Sequence, residues 1–392
     1  MPIRIAMVAG EASGDQLGAH LIQALKQALP DARFYGIGGP KMITEGFDSL
    51  YPAERLAVRG YAEVLRHYWG IARIRRELRR RLLDDRPQAF VGIDAPDFNL
   101  GLERRLKARG IPTVHYVSPS IWAWRGGRIR KIGRAASHML ALFPFEPGLY
   151  EARGIPVTYV GHPLADAFPL EVDVAAARER VGVPPEQPIF ALLPGSRQSE
   201  VEYMAETFVE TARLLHQRFP QAQFLVPFAT RETRALFETA LYKLKAEKLP
   251  IKLLFGHAHD AMAAANGVLV ASGTATLEAA LLKKPMVIAY RMSKWSYRLM
   301  RRMGYLPYVG LPNILAGRFV VPEFIQDDAT PENLAQALGN LVTDRRVCER
   351  LVEVFNEIHL TLRQDNARKA AGAMLPFLTR LPAWMPRRDQ PA

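Results

Sequence analysis

The chain has 392 residues, of which 49% are hydrophobic and 23% are charged, and its formal net charge is +13. This length predicts roughly two to three domains, and the positive charge favours anionic partners such as phosphorylated substrates, acidic membranes or nucleic acid. The single cysteine, Cys348, excludes an internal disulfide and is typical of a reducing compartment.

Strand-like and helix-like runs alternate through the first part of the chain. The predicted strands are "RIAMVAG", "RFYGIGG", "AFVGID", "PTVHYVS", "HMLALF" and "VTYVG", separated by helices such as "LGAHLIQALKQAL" and "LGLERRLKARG". The N-terminus becomes polar too quickly for a signal peptide. The pattern predicts one βα domain over residues 1–165.

The alternation restarts after a proline-rich stretch. The strand-like runs "IFALLPG", "QFLVPF", "IKLLFG", "VLVAS" and "PMVIAY" predict a second domain over residues 166–345, and we expect the helical tail, 346–382, to complete the first. Residues 261–282 are long enough to span a membrane, but Asn266 and Glu278 favour helix, strand, turn and helix. The fold class is therefore α/β, with two Rossmann-like doubly wound domains facing a ligand-binding cleft.

The loop "AGEASGDQLG" follows the first predicted strand and opens the first helix. Gly14 permits close approach of a ligand or a neighbouring helix, and a helix N-terminus favours a negative partner. The alternative is a tight turn in which Ser13 or Asp15 caps the helix. The spacing matches neither a dinucleotide fingerprint nor a P-loop.

The stretch "LLPGSRQSEVE" predicts a diphosphate site. Ser199 and Glu202 have capping-box spacing, so the helix is expected to begin there. Gly195, Ser196 and Arg197 would then lie before a helix N-terminus with free amides, and the guanidinium could bind phosphate through two hydrogen bonds. The alternative is that Arg197 is an ordinary surface arginine.

Two later loops carry further candidates. In "ASGTATLEAA", Gly273 and Thr274 stand at a helix start that could bind phosphate, and Glu278 could accept hydrogen bonds from ribose hydroxyls. In "VGLPNILAG", Asn313 could donate to phosphate. The alternatives are a solvated helix residue for Glu278 and an Asx-type turn for Asn313.

The strand in "FVGIDAPDFN" ends in two acids, Asp94 and Asp97. A polar turn is one interpretation, because Asp and Pro are common in turns. Ligand binding is the other, because open α/β sheets bind ligands beyond the carboxyl ends of their strands.

Two basic segments interleave cations with aromatic or methionine side chains. "RHYWGIARIRRELRRRLL" contains Tyr68 and Trp69, and "RMSKWSYRLMRRMGYLPYVG" contains Trp295, Met300 and Met303. Such segments bind anionic lipid surfaces, so these five residues are predicted to contact the membrane or an acyl chain. The alternatives are solvated helix faces or nucleic-acid binding, including base stacking on the tryptophans of "SIWAWR", but no nucleic-acid recognition motif is present.

No metal or cofactor site is predicted. His257 and His259 are two residues apart near Asp260, without a histidine or cysteine framework for a metal, and no G-x-S-x-G elbow occurs.

Together these stretches resemble the lipid-A-disaccharide synthase family of glycosyltransferases. The matching stretches occur in the family's order over nearly the whole chain, and they are "VAGEASGD", "VGIDAPDFN", "VHYVSPSIWAWR", "PFE", "GHPLAD", "LLPGSR", "ASGTATLEA" and "GLPNILAG". The resemblance implies a GT-B arrangement and inverting transfer of 2,3-diacylglucosamine from its UDP derivative to 2,3-diacylglucosamine 1-phosphate. It also implies a cytoplasmic enzyme peripherally attached to the inner membrane.

The resemblance also assigns roles to the candidate residues. Asp94 is the expected general base, with Asp97 as the second choice. The residues expected to bind the two substrates without a metal are Glu11, Ser13, Gly14, Gly195, Ser196, Arg197, Gly273, Thr274, Glu278 and Asn313. The first domain would serve the acceptor and the membrane, and the second the donor. The expected partners are both substrates and an anionic membrane, not nucleic acid, and a homodimer is considered.

One segment departs from the family pattern. Residues 58–60 read Val-Arg-Gly where an apolar residue and glycine are expected, so acyl-chain contacts there are in doubt. Three alternatives stay open: another GT-B UDP-sugar enzyme, such as an epimerase or a transferase with a different lipid acceptor, a non-enzymatic membrane-surface protein, or a nucleic-acid-binding protein.

Overall fold

The computed structural model describes residues 2–53, 56, 61–123, 126–293, 295, 297–298 and 307–379, with the backbone alone for residues 61–68. The chain divides into two compact units. Unit 1 runs to Asp166 and resumes at Leu362, whereas unit 2 is Ala167–Thr361. Each unit contains one parallel sheet with helices on it.

Unit 1 is built on a seven-stranded sheet in the order β3-β2-β1-β4-β5-β6-β7. Its strands are β1 (Arg4–Ala9), β2 (Arg33–Gly38), β3 (Phe47–Pro52), β4 (Ala89–Ile93), β5 (Thr113–Tyr116), β6 (His138–Ala141) and β7 (Val157–Tyr159). The strand order reverses between β1 and β4, which is the switch point of a doubly wound sheet.

Helices cover both faces of this sheet. They are α1 (Ala12–Ala28), α2 (Pro40–Thr44), α3 (Tyr61–Asp85), α4 (Pro96–Lys107), α5 (Ile129–Ala135), α6 (Glu146–Glu151) and α7 (Pro163–Ala167). Ile5 and Met7 of β1 belong to the core that contains α1, whereas Ala6 and Val8 belong to the core that contains α3 and α4. Burial on both faces explains why the central strands are continuous apolar runs.

Unit 2 repeats this architecture with six strands in the order β10-β9-β8-β11-β12-β13. The strands are β8 (Ile189–Leu193), β9 (Gln223–Phe228), β10 (Ile251–Phe255), β11 (Gly267–Ala271), β12 (Met286–Tyr290) and β13 (Glu323–Ile325). The helices are α8 (Val174–Val181), α9 (Gln198–Arg218), α10 (Arg231–Lys243), α11 (Ala258–Ala264), α12 (Thr274–Leu281), α13 (Leu311–Ala316), α14 (Pro331–Thr343) and α15 (Arg345–Leu362). Its switch point lies between β8 and β11.

The last described helix, α16 (Asn366–Thr379), returns to unit 1. The Asp166 carboxylate accepts the backbone N–H groups of residues 364–366 at 2.7 to 3.0 Å, which satisfies free amides where the helix begins. Met374 then enters the core beside α1. Helix α15 belongs to unit 2 as far as Thr361. The part of the predicted tail 346–382 that belongs to unit 1 therefore begins only at Leu362.

The segment at residues 261–282 is not one long helix. It comprises the end of α11, then β11 and α12, as the sequence predicts. In the ranges that the structure describes, no helix is both long enough and apolar enough to cross a membrane.

Candidate active site

The switch point of unit 1 brings two of the predicted loops together. Ala9 of β1 pairs with Ile93 of β4, so the loops after these strands leave the sheet side by side. A Cβ atom at Gly10 would lie 3.3 Å from the Cβ of Ala95. The loop that opens α1 therefore contacts the Asp94 turn.

The residues that open α1 are mostly exposed. Glu11 directly precedes α1, Ser13 is exposed and Gly14 is buried against β1 and β4. The alternative in which Asp15 caps its own helix is wrong. Its buried carboxylate instead accepts backbone N–H groups at the start of α2, within residues 39–42, at 2.9 to 3.1 Å. Glu11 and Ser13 are both exposed at the sheet edge.

Asp94 and Asp97 occupy different environments. Asp94 is half-buried in a left-handed turn with a φ of 51°, and its carboxylate has no hydrogen-bond partner in the described part of the chain. Helix α4 begins at Pro96, earlier than predicted, because proline is compatible with the first helical turn. Asp97 lies in that turn with an 87% exposed side chain, and it pairs with Arg128 at 2.9 Å. Of the two acids, Asp94 is therefore the more buried, and Asp97 is the one held in an ion pair.

Glu146 holds together two loops at the same edge of the sheet. Its carboxylate accepts the backbone N–H groups of Leu142 and Phe143 at 3.0 Å and the indole N–H of Trp122 at 3.2 Å. The Trp122 ring also packs edge-on against Phe143 and Phe145. Trp122 is therefore a packed ring rather than an exposed stacking surface, and its neighbour Trp124 lies outside the described residues.

The helix after the predicted diphosphate loop of unit 2 is capped by a different residue from the one predicted. Helix α9 begins at Gln198, and its capping carboxylate is Glu200, so the predicted Ser199–Glu202 capping box is wrong. Glu200 accepts the backbone N–H groups of Ser196 and Arg197 at 3.0 and 3.2 Å. The two amides expected to be free are therefore occupied, whereas the Arg197 side chain is 76% exposed.

Glycine is required where this loop leaves β8. Gly195 has a φ of 139°, and a Cβ atom there would lie 2.5 Å from the Cβ of Glu200. Because the glycine leaves this space, the carboxylate of Glu200 can fold back over the loop. The sequence contained the signal for this contact. Glu200 stands three residues after Arg197, which directly precedes the helix, and this is the spacing of a capping box.

The loop after β11 lies beside the diphosphate loop, because Val270 pairs with Leu193. Gly273, with a φ of 143°, and Thr274 are both exposed at the start of α12. Glu278, one turn later, has a 20% exposed side chain. These residues form the second part of a candidate anion and ribose site.

His259 is a partner of Glu278 that the sequence did not indicate. Its Nε2 atom lies 3.3 Å from Oε2 of Glu278, and this hydrogen bond raises the pKa of His259. His257 instead contacts Asp260 at 3.1 Å. In the described residues no group of three or more His, Cys, Asp or Glu side chains could hold a metal ion.

Asn313 is a structural residue in this geometry. Its side chain is 0% exposed, and its amide nitrogen donates to the carbonyl of Val321 and to Oε1 of Glu323 at 2.9 and 2.8 Å. Its oxygen accepts the N–H groups of Val320 and Val321. Since these four bonds use the whole amide, the expected donation to phosphate is corrected: Asn313 shapes the loop.

The predicted membrane residues are only partly described. Trp69 is 80% exposed and Trp295 is 81% exposed, and the guanidinium of Arg298 lies 5.9 Å from the Trp295 ring centroid. The side chain of Tyr68, Met300, Met303 and the atypical segment 58–60 lie outside the described residues. Two large aromatic rings are thus on the surface, and a cation lies beside that of Trp295.

Comparison with known proteins identifies the family. A family model described as lipid-A-disaccharide synthetase matches residues 5–375. The lipid-A-disaccharide synthase of Aromatoleum aromaticum is 63% identical over 99% of this chain and 100% of its own length. That of Dechloromonas aromatica is 63% identical over 96% of this chain and 99% of its own length.

Solved structures with low sequence identity share the fold. A UDP-GlcNAc 2-epimerase from Neisseria meningitidis, bound to UDP-GlcNAc, gives a TM-score of 0.63 at 13% identity over 96% of this chain and 100% of that one. A calicheamicin glycosyltransferase gives a TM-score of 0.58 at 15% identity over 97% and 99%. The predicted GT-B fold class of two Rossmann-like units is confirmed.

The environment of Glu146 predicts a dependence of stability on pH. The side chain is 1% exposed, and burial raises its pKa from 4.5 to about 7. Between these values the folded chain binds more protons than the unfolded chain, so the free energy of unfolding falls as pH rises. Glu146→Gln should remove this loss, which amounts to about 3 kcal/mol between pH 4.5 and 7.

Unfolding by urea at several pH values measures the effect. Burial lowers the pKa of nearby His162 to about 4, so its contribution rises with pH between about 4 and 6.5 and opposes that of Glu146. The informative quantity is therefore the difference between the Glu146→Gln variant and the wild type. That difference should grow in favour of the variant from pH 4.5 to 7, and a difference independent of pH would contradict the prediction.

Proposed function

We propose, from the premise that the chain belongs to the lipid-A-disaccharide synthase family, that it transfers 2,3-diacylglucosamine from UDP-2,3-diacylglucosamine to 2,3-diacylglucosamine 1-phosphate. The products are the β-1,6-linked disaccharide 1-phosphate, formed with inversion, and UDP. The observation that carries the proposal is the family match over residues 5–375. The glycosyltransferase activity itself follows from that membership.

On the acceptor side, Asp94 acts as the general base. Its carboxylate takes the proton of the 6-hydroxyl as that oxygen bonds to the anomeric carbon of the donor. The bond from this carbon to the diphosphate oxygen breaks, and its electron pair leaves with UDP. The Asp94 carboxylate is half-buried at a topological switch point and has no hydrogen-bond partner among the described residues, and these features support this role. Glu11 and Ser13, on the adjacent loop, bind the acceptor.

On the donor side, Arg197 and the start of α12 hold the diphosphate. Glu200 already fills the amides of Ser196 and Arg197, so the exposed guanidinium supplies the principal charge. The amides at Gly273 and Thr274 add the positive end of a helix dipole, which stabilises the negative charge of the departing UDP.

The ribose of the donor binds Glu278. Its carboxylate can accept from two hydroxyls, and it exchanges its hydrogen bond with His259 for them. In this assignment unit 1 serves the acceptor and unit 2 serves the donor.

We place the enzyme in the cytoplasm, peripherally attached to the inner membrane. Helix α3 carries seven arginines between Arg66 and Arg81, and Trp69 is exposed on the same helix. Cations near an anionic surface contribute about 1 kcal/mol each, and aromatic rings favour the headgroup region. The homodimer stays a prediction.

The reaction is tested by measuring UDP release from UDP-2,3-diacylglucosamine in detergent and EDTA, with and without 2,3-diacylglucosamine 1-phosphate. Release that depends on the acceptor is expected. An Arg197→Ala variant should lower kcat/KM for the donor by about tenfold or more, since it loses hydrogen bonds to a charged group. Exposed Arg345 on α15 provides the matched control variant, Arg345→Ala. A folded wild type that releases no UDP would shift the assignment to another UDP-sugar enzyme.

Replacing the base distinguishes the two acids. Asp94→Asn should lower kcat by about 100-fold or more, because the amide cannot accept the hydroxyl proton. Asp97→Asn is the matched control, and it should change kcat little because Asp97 is exposed and paired with Arg128. Steady-state kinetics with both substrates saturating provide the measurement. An Asp94→Asn variant that turns over like the wild type would remove Asp94 as the base.

Membrane attachment is tested by co-sedimentation with vesicles that contain anionic phospholipid. The double variant Trp69→Ser, Trp295→Ser should bind about tenfold more weakly, since two large apolar side chains no longer enter the interface. Tyr242→Ser is the control, because Tyr242 is 71% exposed outside both basic segments. Equal loss of binding in the control and the double variant would refute a specific role for the tryptophans.

A further inference from the structure

Three polar residues are buried beneath the Asp94 turn, and the reaction above does not use them. Asn99, Glu103 and His115 are each 0% exposed. Asn99 and Glu103 are four residues apart on α4 and share one helix face, while His115 lies on β5. Within the described residues, Oδ1 of Asn99, Oε2 of Glu103 and Nε2 of His115 have no hydrogen-bond partner. Unsatisfied buried atoms are uncommon and require an explanation.

The pair formed by Glu103 and His115 holds helix α4 against the sheet. Oε1 of Glu103 lies 2.7 Å from Nδ1 of His115. Gly92 of β4 is opposite His115 in the strand register, and a Cβ atom there would lie 2.1 Å from Oε1 of Glu103. The glycine therefore leaves the space in which the carboxylate crosses β4 to reach β5. The pair fixes the position of α4 over both strands.

Asn99 connects this fixed helix to the proposed base. Its side-chain amide donates to the carbonyl of Asp94 at 2.9 Å and has longer contacts with the carbonyls of Ile93 and Val8, at 3.5 and 3.4 Å. The backbone N–H of Asn99 donates to the carbonyl of Ala95 at 3.0 Å. Both carbonyls of the turn between β4 and α4 are thus bound by one residue.

The turn needs such support because its backbone is strained. Asp94 and Ala95 have φ values of 51° and 42°, in the left-handed region that residues other than glycine rarely adopt. Strained backbone persists only where surrounding contacts stabilise it, and it clusters at functional sites. Here it lies at the proposed catalytic acid.

We propose that Asn99 is a positioning residue for Asp94, on a helix that the Glu103–His115 pair holds in place. By binding the Asp94 carbonyl, Asn99 keeps the turn left-handed, and the carboxylate keeps the orientation in which it accepts the acceptor's proton. The inference rests on the proposed function, because it assigns a role relative to Asp94 as base.

The test is a double-mutant cycle between Asn99 and Asp94. Asn99→Ala should lower kcat by about 10- to 100-fold, because small displacements of a catalytic group have effects of this size. The KM values for both substrates should stay near those of the wild type, since Asn99 is buried. Combined with Asp94→Asn, Asn99→Ala should lower kcat no further, because the base that Asn99 positions is already absent in that variant.

Two further variants separate positioning from folding. Asn99→Asp keeps the shape of the side chain but loses the N–H donor, so it should show the same loss of kcat. Thr113→Val is the matched control, because Thr113 is also 0% exposed in unit 1 and its hydroxyl donates to the Ala135 carbonyl at 2.7 Å. It should lower the thermal midpoint without lowering kcat. Thermal midpoints of all variants are measured at the assay pH.

The outcomes are distinct. If Asp94→Asn is nearly inactive while Asn99→Asp keeps the kcat of the wild type, the positioning role is overturned and the proposed function stands. If Asn99→Ala lowers kcat by the same factor with and without Asp94, the effect is general destabilisation and the inference also fails. If Asp94→Asn is fully active, both the base and its positioning residue are rejected. Loss of kcat that disappears in the Asp94→Asn background supports the inference.

Discussion

Hydrogen bonding between parallel strands is the constraint on which the candidate loops of each unit depend. Every described strand pair is parallel, so each loop that leads from a strand into a helix leaves the sheet at the same edge. The aligned residues Ala9, Ile93 and Tyr116 show this in unit 1, and Leu193 and Val270 show it in unit 2. Polar residues that are far apart in sequence therefore lie close together at the carboxyl ends of the strands.

The central strands could be predicted from sequence because they are buried on both faces and must be apolar throughout. Of the four edge strands, β7 and β10 could be predicted, whereas β3 and β13 could not. Residues 47–52 form β3 with mixed burial, and β13 has three half-buried residues, so neither shows a continuous apolar run. An edge strand has one neighbour and tolerates such composition. The family resemblance located the candidate loops, and the parallel pairing of the strands brings those loops to the same edge of each sheet.

The sequence analysis did not predict the side-chain partners within the site. Glu200 rather than Glu202 closes the diphosphate loop, Asn313 uses its amide on its own loop, and Asp15 caps α2 rather than α1. The Glu200 contact was within reach of sequence reasoning, because its spacing to Arg197 is that of a capping box, whereas Asp15 and Asn313 meet their partners only in the folded chain. In these three places the enzyme satisfies polar groups with its own side chains, whereas one side-chain atom each of Asn99, Glu103 and His115 has no partner among the described residues.

The route of the chain through the two units has a consequence for biosynthesis. Unit 2 is inserted between two parts of unit 1, and Ala370, Met374 and Leu378 of the final described helix belong to the core of unit 1. The ribosome therefore completes unit 2 before the first unit has received its last core helix. Until then the apolar face that awaits this helix lacks its cover, and exposed apolar surface of this kind makes an incomplete chain prone to aggregation during translation.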